Sequence, residues 1–233
     1  IQGVENTVQG VLESFGKEPV DLINYRSLSF TGIEKEGEIY LDRESLDEGI
    51  GSVTTMLRTL YFVPLEDYNR LMGENKSLEE GEILICSNRT DYLKDTLTIE
   101  KYGTFKVKEV MEDFIGNGQI AMDVVTTYQV VVKDMETLEM LNIHQKELYG
   151  EFGADPKYYY GFDLNVDSEK QIDIYDAIRE ALKPDYGYSY VESSAYEKDS
   201  FYSVYGGLFF LGIFLGTIFI LATVLIIYYK QVT

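Results

Sequence analysis

The sequence predicts an α+β domain, built from mixed and antiparallel sheets with helices on one face, followed by one transmembrane α-helix. Three observations carry this. From Phe201 to Tyr229 the chain reads FYSVYGGLFFLGIFLGTIFILATVLIIYY, with no charged residue over about 29 positions, against the ~20 that a membrane-spanning helix needs. Upstream, short runs rich in Val, Ile, Tyr and Phe alternate with stretches of helical periodicity, the mixture expected of an α+β domain. Glycine and proline punctuate these runs, as at Gly16, Pro64, Gly73 and Gly103, and mark many short elements rather than one helical array.

Taken in order, Val4, Val8, Val11, Leu12 and Phe15 recur at helical spacing, which predicts an amphipathic helix over residues 1–16 that Gly16 and Pro19 end. Were a membrane helix to precede it, this element would continue that helix as a stalk; an ordinary packed terminal helix fits the same periodicity. Strand-like runs follow from Leu22 to Phe30 and from Gly37 to Leu41, with a charged turn at Glu34–Gly37 between them. Asp42 to Ser52 reads as a polar loop, and Thr54 to Val63 as a strand broken by Pro64. Leu65, Tyr68, Leu71 and Met72 predict a short helix stopped by Gly73. EILICS, Glu82 to Ser87, reads as a buried strand that makes Cys86 an inert core thiol.

Thr96 to Glu100 and Thr104 to Val110 predict a hairpin about Gly103, Gly116 to Gly118 a flexible turn, and Tyr128 to Lys133 a strand. Asp134 is placed to cap the next helix, which carries Leu138, Leu141, His144 and Leu148 and closes at Gly150. Tyr158 to Leu164 reads as a strand. Ser168 and Gln171 form a capping-box pattern, before a helix with Ile172, Tyr175, Ile178 and Leu182 on one face. Pro184 stops it, and Gly187 to Val191 returns as a strand. The organisation predicted is a stalk helix over 1–16, an α+β domain over 17–197, and a stalk with the membrane helix over 198–233.

Charge narrows the function classes. The 233 residues carry a net charge of −20, and 40 acidic against 19 basic residues stand before the lone Lys230. Such a domain cannot neutralise a phosphate backbone, which excludes nucleic acid as a partner. Anionic cytoplasmic lipid would repel it, so the domain is placed outside the membrane with Lys230 on the cytoplasmic side. Tyr202 and Tyr205 at one end of the apolar run, and Tyr228 and Tyr229 at the other, match interfacial aromatic belts. With one cysteine there is no internal disulfide, which suits a bacterial exported domain and would equally suit the cytosol. A start at Ile1 rather than Met and an end at Thr233, just past the apolar run, read as a segment of a larger membrane protein.

Catalytic chemistry finds little support. His144 is the only histidine and Cys86 the only cysteine, too few for a usual zinc set and with nothing to join them into a nucleophile–base pair. Asp163-Leu-Asn165-Val-Asp167 copies the start of a calcium loop. Ser168 then stands where that loop wants Gly and Ile174 where it wants Glu, so a strand end followed by a helix cap is expected. Asn88-Arg89-Thr90 matches the glycosylation triplet. The expectation is therefore no catalytic, cofactor-binding or metal residue. Gly212 and Gly216 form a GxxxG pair, with Gly207 preceding them, the spacing that lets a second helix approach closely.

The run YGGLFFLGIFLGTIFILATVLIIYYKQ, Tyr205 to Gln231, resembles a membrane helix of FtsX-like ABC transporter permeases of the BceB type. VPLEDYNRLMGENKSLEEGEILI (Val63 to Ile85), YQVVVKDMETLEML (Tyr128 to Leu141) and YYYGFDLNVDSEKQIDIYDAI (Tyr158 to Ile178) resemble parts of that family's large extracellular domain. The resemblance implies a bacterial plasma-membrane protein with residues 1 to about 200 extracellular. It also implies further transmembrane helices of the same permease, a cytoplasmic ABC ATPase subunit and a membrane histidine kinase as partners. The implied ligand is a peptide antibiotic or a lipid-linked cell-wall precursor. The rival reading of the same residues is a surface receptor or adhesion module anchored by a single span.

Overall fold

A computed structural model describes residues 2–41, 56–89, 91–112, 114, 125–183 and 190–232. The elements, in chain order, are α1 (Gln2–Ser14), β1 (Val20–Lys35), β2 (Glu38–Tyr40), β3 (Leu57–Pro64), α2 (Leu65–Met72), β4 (Glu82–Ser87), β5 (Thr96–Ile99), β6 (Gly103–Val110), β7 (Thr126–Val132), α3 (Met135–Tyr149), β8 (Lys157–Asp163), α4 (Ser168–Leu182) and α5 (Ser194–Val232). They divide into two units: Leu22–Gly161, and Ile1–Asp21 together with Phe162–Thr233.

The first unit is a sheet closed on itself. Strand order runs β2-β5-β6-β4-β7-β3-β1-β8, and a further β1–β2 pairing completes the ring. The long β1 closes it. Leu28 to Ile33 pair antiparallel with Phe62 to Leu57 of β3, and Ile33 to Lys35 pair with Tyr40 to Glu38 of β2. The pairs β3–β7, β4–β6 and β2–β5 are parallel, whereas β4–β7 and β5–β6 are antiparallel. At Gly32 a Cβ would stand 2.5 Å from Ile39 Cγ2 and 2.9 Å from the Tyr40 carbonyl oxygen. Only glycine lets β1 and β2 approach this closely there.

Period-two alternation sorts the core into two layers. Leu28, Phe30, Leu60, Phe62, Ile83, Ile85, Val130 and Val132, with Ile39, Leu97, Ile99 and Phe105 so that every strand of the ring contributes, form the inner layer, which Leu138 and Leu141 of α3 join. Tyr61, Val63, Leu84, Cys86 and Val131 join the other, with Tyr68 of α2. Helices thus serve both layers of one closed sheet, where the expectation was mixed and antiparallel sheets with helices on one face. Runs such as YFV, ILI and VVV are apolar at successive positions and need cover on both sides.

Most predicted elements stand where the residues put them. Pro64 ends β3 and begins α2, and Gly73 closes α2 at φ +65°. The Asp134 carboxylate accepts the Thr137 N–H at 2.9 Å and caps α3, and Cys86 is buried. Four details differ. β1 continues past Phe30 to Lys35, and the turn narrows to Glu36 and Gly37, both at positive φ. The α4 cap is Asp167, not Ser168. Its carboxylate accepts the Lys170 N–H at 2.9 Å, with a charge the helix N-terminus favours. The buried face of α4 takes Ile174 beside Tyr175, Ile178 and Leu182. Tyr190 and Val191 lie in no strand. The rest of that predicted strand, the Asp42–Ser52 loop, Thr54, the Gly116–Gly118 turn and Pro184 fall outside the described residues.

In the second unit α1 packs on α4, and α4 packs on the first turns of α5. Val8, Leu12, Ile174, Ile178, Leu182 and Ala195 are buried there. Tyr175 stacks on Tyr196 at 4.7 Å between ring centroids, and the Arg179 guanidinium lies 5.5 Å from the Tyr175 ring. α5 then runs for 39 residues without a break, about 58 Å at the rise of an α-helix.

Candidate functional site

Glu34, Arg58 and Tyr128 occupy the positions that continue the inner layer toward one end of the ring. Glu34 follows Leu28, Phe30 and Gly32 on β1. Arg58 precedes Leu60 and Phe62 on β3, and Tyr128 precedes Val130 and Val132 on β7. Because side chains alternate, three polar groups on three neighbouring strands converge where the apolar layer stops.

Their geometry is tight. Glu34 Oε2 accepts from Arg58 Nε at 2.6 Å and from the Tyr128 hydroxyl at 2.8 Å. The Tyr128 oxygen accepts in turn from Arg58 Nε at 3.1 Å. Glu34 Oε1 accepts from Lys94 Nζ. Tyr92 meets the Tyr128 ring edge-on at 5.1 Å and donates its hydroxyl to the Thr96 carbonyl at 2.7 Å. Burial by itself would raise the Glu34 carboxyl. Hydrogen bonds from Lys94 and Tyr128, with the charges of Lys94 and Arg58, outweigh it and hold that carboxyl below its ordinary value. Burial and the neighbouring Glu34 push the Tyr128 phenol up despite the Arg58 hydrogen bond. The group is therefore a partly buried carboxylate, two cations and a neutral phenol at neutral pH.

A second charged cluster is a strut. Asp67, fully buried on α2, accepts from the Arg26 backbone N–H at 2.8 Å and from Arg26 Nε and Nη2 at 2.9 Å, and from Arg70 Nη2 at 2.8 Å. It ties α2 to β1 and leaves neither oxygen open to an incoming group.

The residues singled out in the sequence fall on α5 and on the ring. Tyr202, Tyr205, Tyr228 and Tyr229 are exposed, and Tyr205 stacks on Phe201 at 4.1 Å. Tyr205 and Tyr228 are separated by about 35 Å along the helix axis, close to the ~30 Å of a hydrocarbon core. Lys230 sits in the last turn. Gly212 and Gly216 lie one turn apart on one face, with open space where a Cβ would stand. Gly207 precedes Gly212 by five residues, about 140° around the helix at 3.6 residues per turn, and so lies off that face. α5 is long and apolar enough to cross a membrane, and none of its most apolar window is buried within the chain.

His144 Nε2 lies 2.7 Å from the Glu100 carbonyl oxygen. Cys86 Sγ lies 2.9 Å from Gln129 Oε1 in the core. Asp163 ends β8 and Asp167 caps α4, and among the described residues no three His, Cys, Asp or Glu side chains group as metal ligands. Asn88 accepts the Thr127 N–H at 2.9 Å through Oδ1, so its amide serves strand β7; Thr90 lies outside the described residues. Glu34, Arg58, Lys94 and Tyr128 were not singled out by motif. The available signal was charge at positions in phase with inward apolar residues, as in Leu28-x-Phe30-x-Gly32-x-Glu34. No protein-family model matches the chain, and no curated protein matches it.

Proposed function

We propose that this chain is the non-enzymatic extracellular sensing and gating part of an FtsX-like ABC transporter permease subunit, of the kind that handles antimicrobial peptides or their lipid-linked cell-wall targets. The observation that supports this reading is the helical foot. α5 leaves its packing on α4 at Ala195 and Tyr196 and continues unbroken into the apolar run. A helix anchored at one end in a folded unit and apolar over a membrane's thickness is suited to pass motion between bilayer and domain. The segment resemblances given above supply the family. In this reading a separate cytoplasmic ATPase drives the membrane helices, a membrane histidine kinase reads the result, and the location is the bacterial plasma membrane.

The same helix would serve a surface module anchored by a single span, and one observation separates the two. The genomic locus is expected to encode further apolar spans on both sides of this segment and an ABC ATPase beside them. A signal peptide just upstream of Ile1 and a stop codon soon after Thr233 would sink the permease reading in favour of the anchored module. Co-purification of the ATPase with the full-length protein is the biochemical check.

A further inference from the structure

The inner layer of the ring ends in a carboxylate whose two oxygens are held differently. Oε2 of Glu34 is fixed by Arg58 and Tyr128, both on strands. Oε1 is met by Lys94, which lies in the irregular connection between β4 and β5. The Glu34 side chain is 12% exposed and that of Lys94 41%. Beside Lys94, Leu93 is 90% exposed, and Met56, whose carbonyl accepts the Glu34 N–H at 2.9 Å, is also exposed. An oriented, mostly buried carboxylate capped by a loop cation, with the exposed Leu93 next to that cation in the chain, is the complement of a cationic group.

We propose that Glu34 is the acceptor for an alkylammonium or guanidinium group of a cationic peptide, and that Lys94 occupies this acceptor as an internal stand-in until the peptide displaces it. The peptide as ligand class rests on the function proposed above; the net charge of −20 favours the same sign of partner. Exchange preserves the charge balance, since one cation leaves Oε1 as another arrives. It needs no strand to move, because Arg58 and Tyr128 keep their bonds to Oε2. Asp67 cannot work this way: its side chain is fully buried and both oxygens are taken by arginines.

The test uses the 233-residue chain in phosphatidylcholine nanodiscs and a fluorescein-labelled, amidated hexalysine read by anisotropy. Lys94→Ala is expected to bind the probe about two- to fivefold tighter, the worth of one exposed competing ion pair. Lys133→Ala is the charge-matched control: Lys133 is 37% exposed, and its partner Glu80 is 78% exposed against 12% for Glu34. Adding Glu34→Gln to Lys94→Ala should abolish the gain. A Lys94→Ala affinity no higher than that of Lys133→Ala, or no binding by any variant, overturns the proposal. That contrast stands even if Glu34→Gln fails to fold. It is also separate from the genomic test, because a single-span locus removes the permease and leaves the Lys94 comparison unchanged.

Discussion

Phe62 and Phe209 are the same side chain in opposite circumstances. Phe62, on β3, is 0% exposed, and Phe209, on α5, is 72% exposed. The ring spends its apolar residues on itself, in two layers filled from alternating strand positions and closed by α2 and α3. The helix, past its first turns on α4, buries none of its own. Over the apolar run its large side chains are exposed all round, and among the described residues nothing covers them. Hydrophobic content is thus ambiguous until periodicity is considered: period two with turn residues builds a core, while an all-round apolar helix needs a solvent that is itself apolar.

The largest expected effect breaks the first half of this contrast. Phe62→Ala should cost the ring about 3–5 kcal/mol through lost burial and a cavity, seen as a lower midpoint in thermal unfolding followed by circular dichroism. Phe209→Ala should leave that midpoint in place, and equal shifts would refute the division. Next, Leu215→Arg puts a charge near the middle of α5 and should cost about 2.5–3.5 kcal/mol of insertion. The variant should be enriched in the soluble fraction after alkaline extraction while its ring melts as in the parent. Gly32→Ala drives a methyl group into Ile39 and Tyr40 and should destabilise the ring by about 1–3 kcal/mol, measured by urea unfolding.

The smallest effect concerns acid. Asp67 and Glu34 both have folded pKa values below their ordinary 3.8 and 4.5, because cationic hydrogen-bond partners outweigh burial. Stabilisation from a depressed carboxyl is complete above the unfolded value and is lost as pH falls through it toward the folded one. The ring should therefore weaken below about pH 4.5, by about 1 kcal/mol for the more exposed Glu34–Lys94 pair. Glu34→Gln should flatten this part of the pH–stability curve, and an unchanged slope would show that the pair contributes nothing.

How much of this was legible depends on range in the chain. Gly73, Asp134 and the EILICS strand act through near neighbours, and their roles follow from residue chemistry at those positions. α5 was legible because length and the absence of charge suffice. Ring closure was not, since the β1–β2–β3 junction depends on the missing Cβ of Gly32 meeting Ile39 and Tyr40, a contact no local pattern announces. The Asp167 cap was missed by one residue because Asp and Ser are both good caps and stand side by side. The candidate site was hidden for the same reason as closure: Glu34 and Tyr128 are 94 positions apart, and the local sequence places Glu34 in a charged turn.

The parallel pairing of β3 with β7 also sets a clock. Arg58 and Tyr128 are separated by 70 residues, and β4 likewise meets β7 only when Cys86 finds Gln129, 43 residues on. A chain emerging from its N-terminus holds β3 and β4, apolar on both sides, before their common neighbour exists. Contacts of such long range place folding toward the slow end for domains of this size, roughly milliseconds to seconds, and leave sticky strand edges open in the meantime. Among the described elements α5 follows all eight strands in the chain, so its apolar run is synthesised only after that interval has passed.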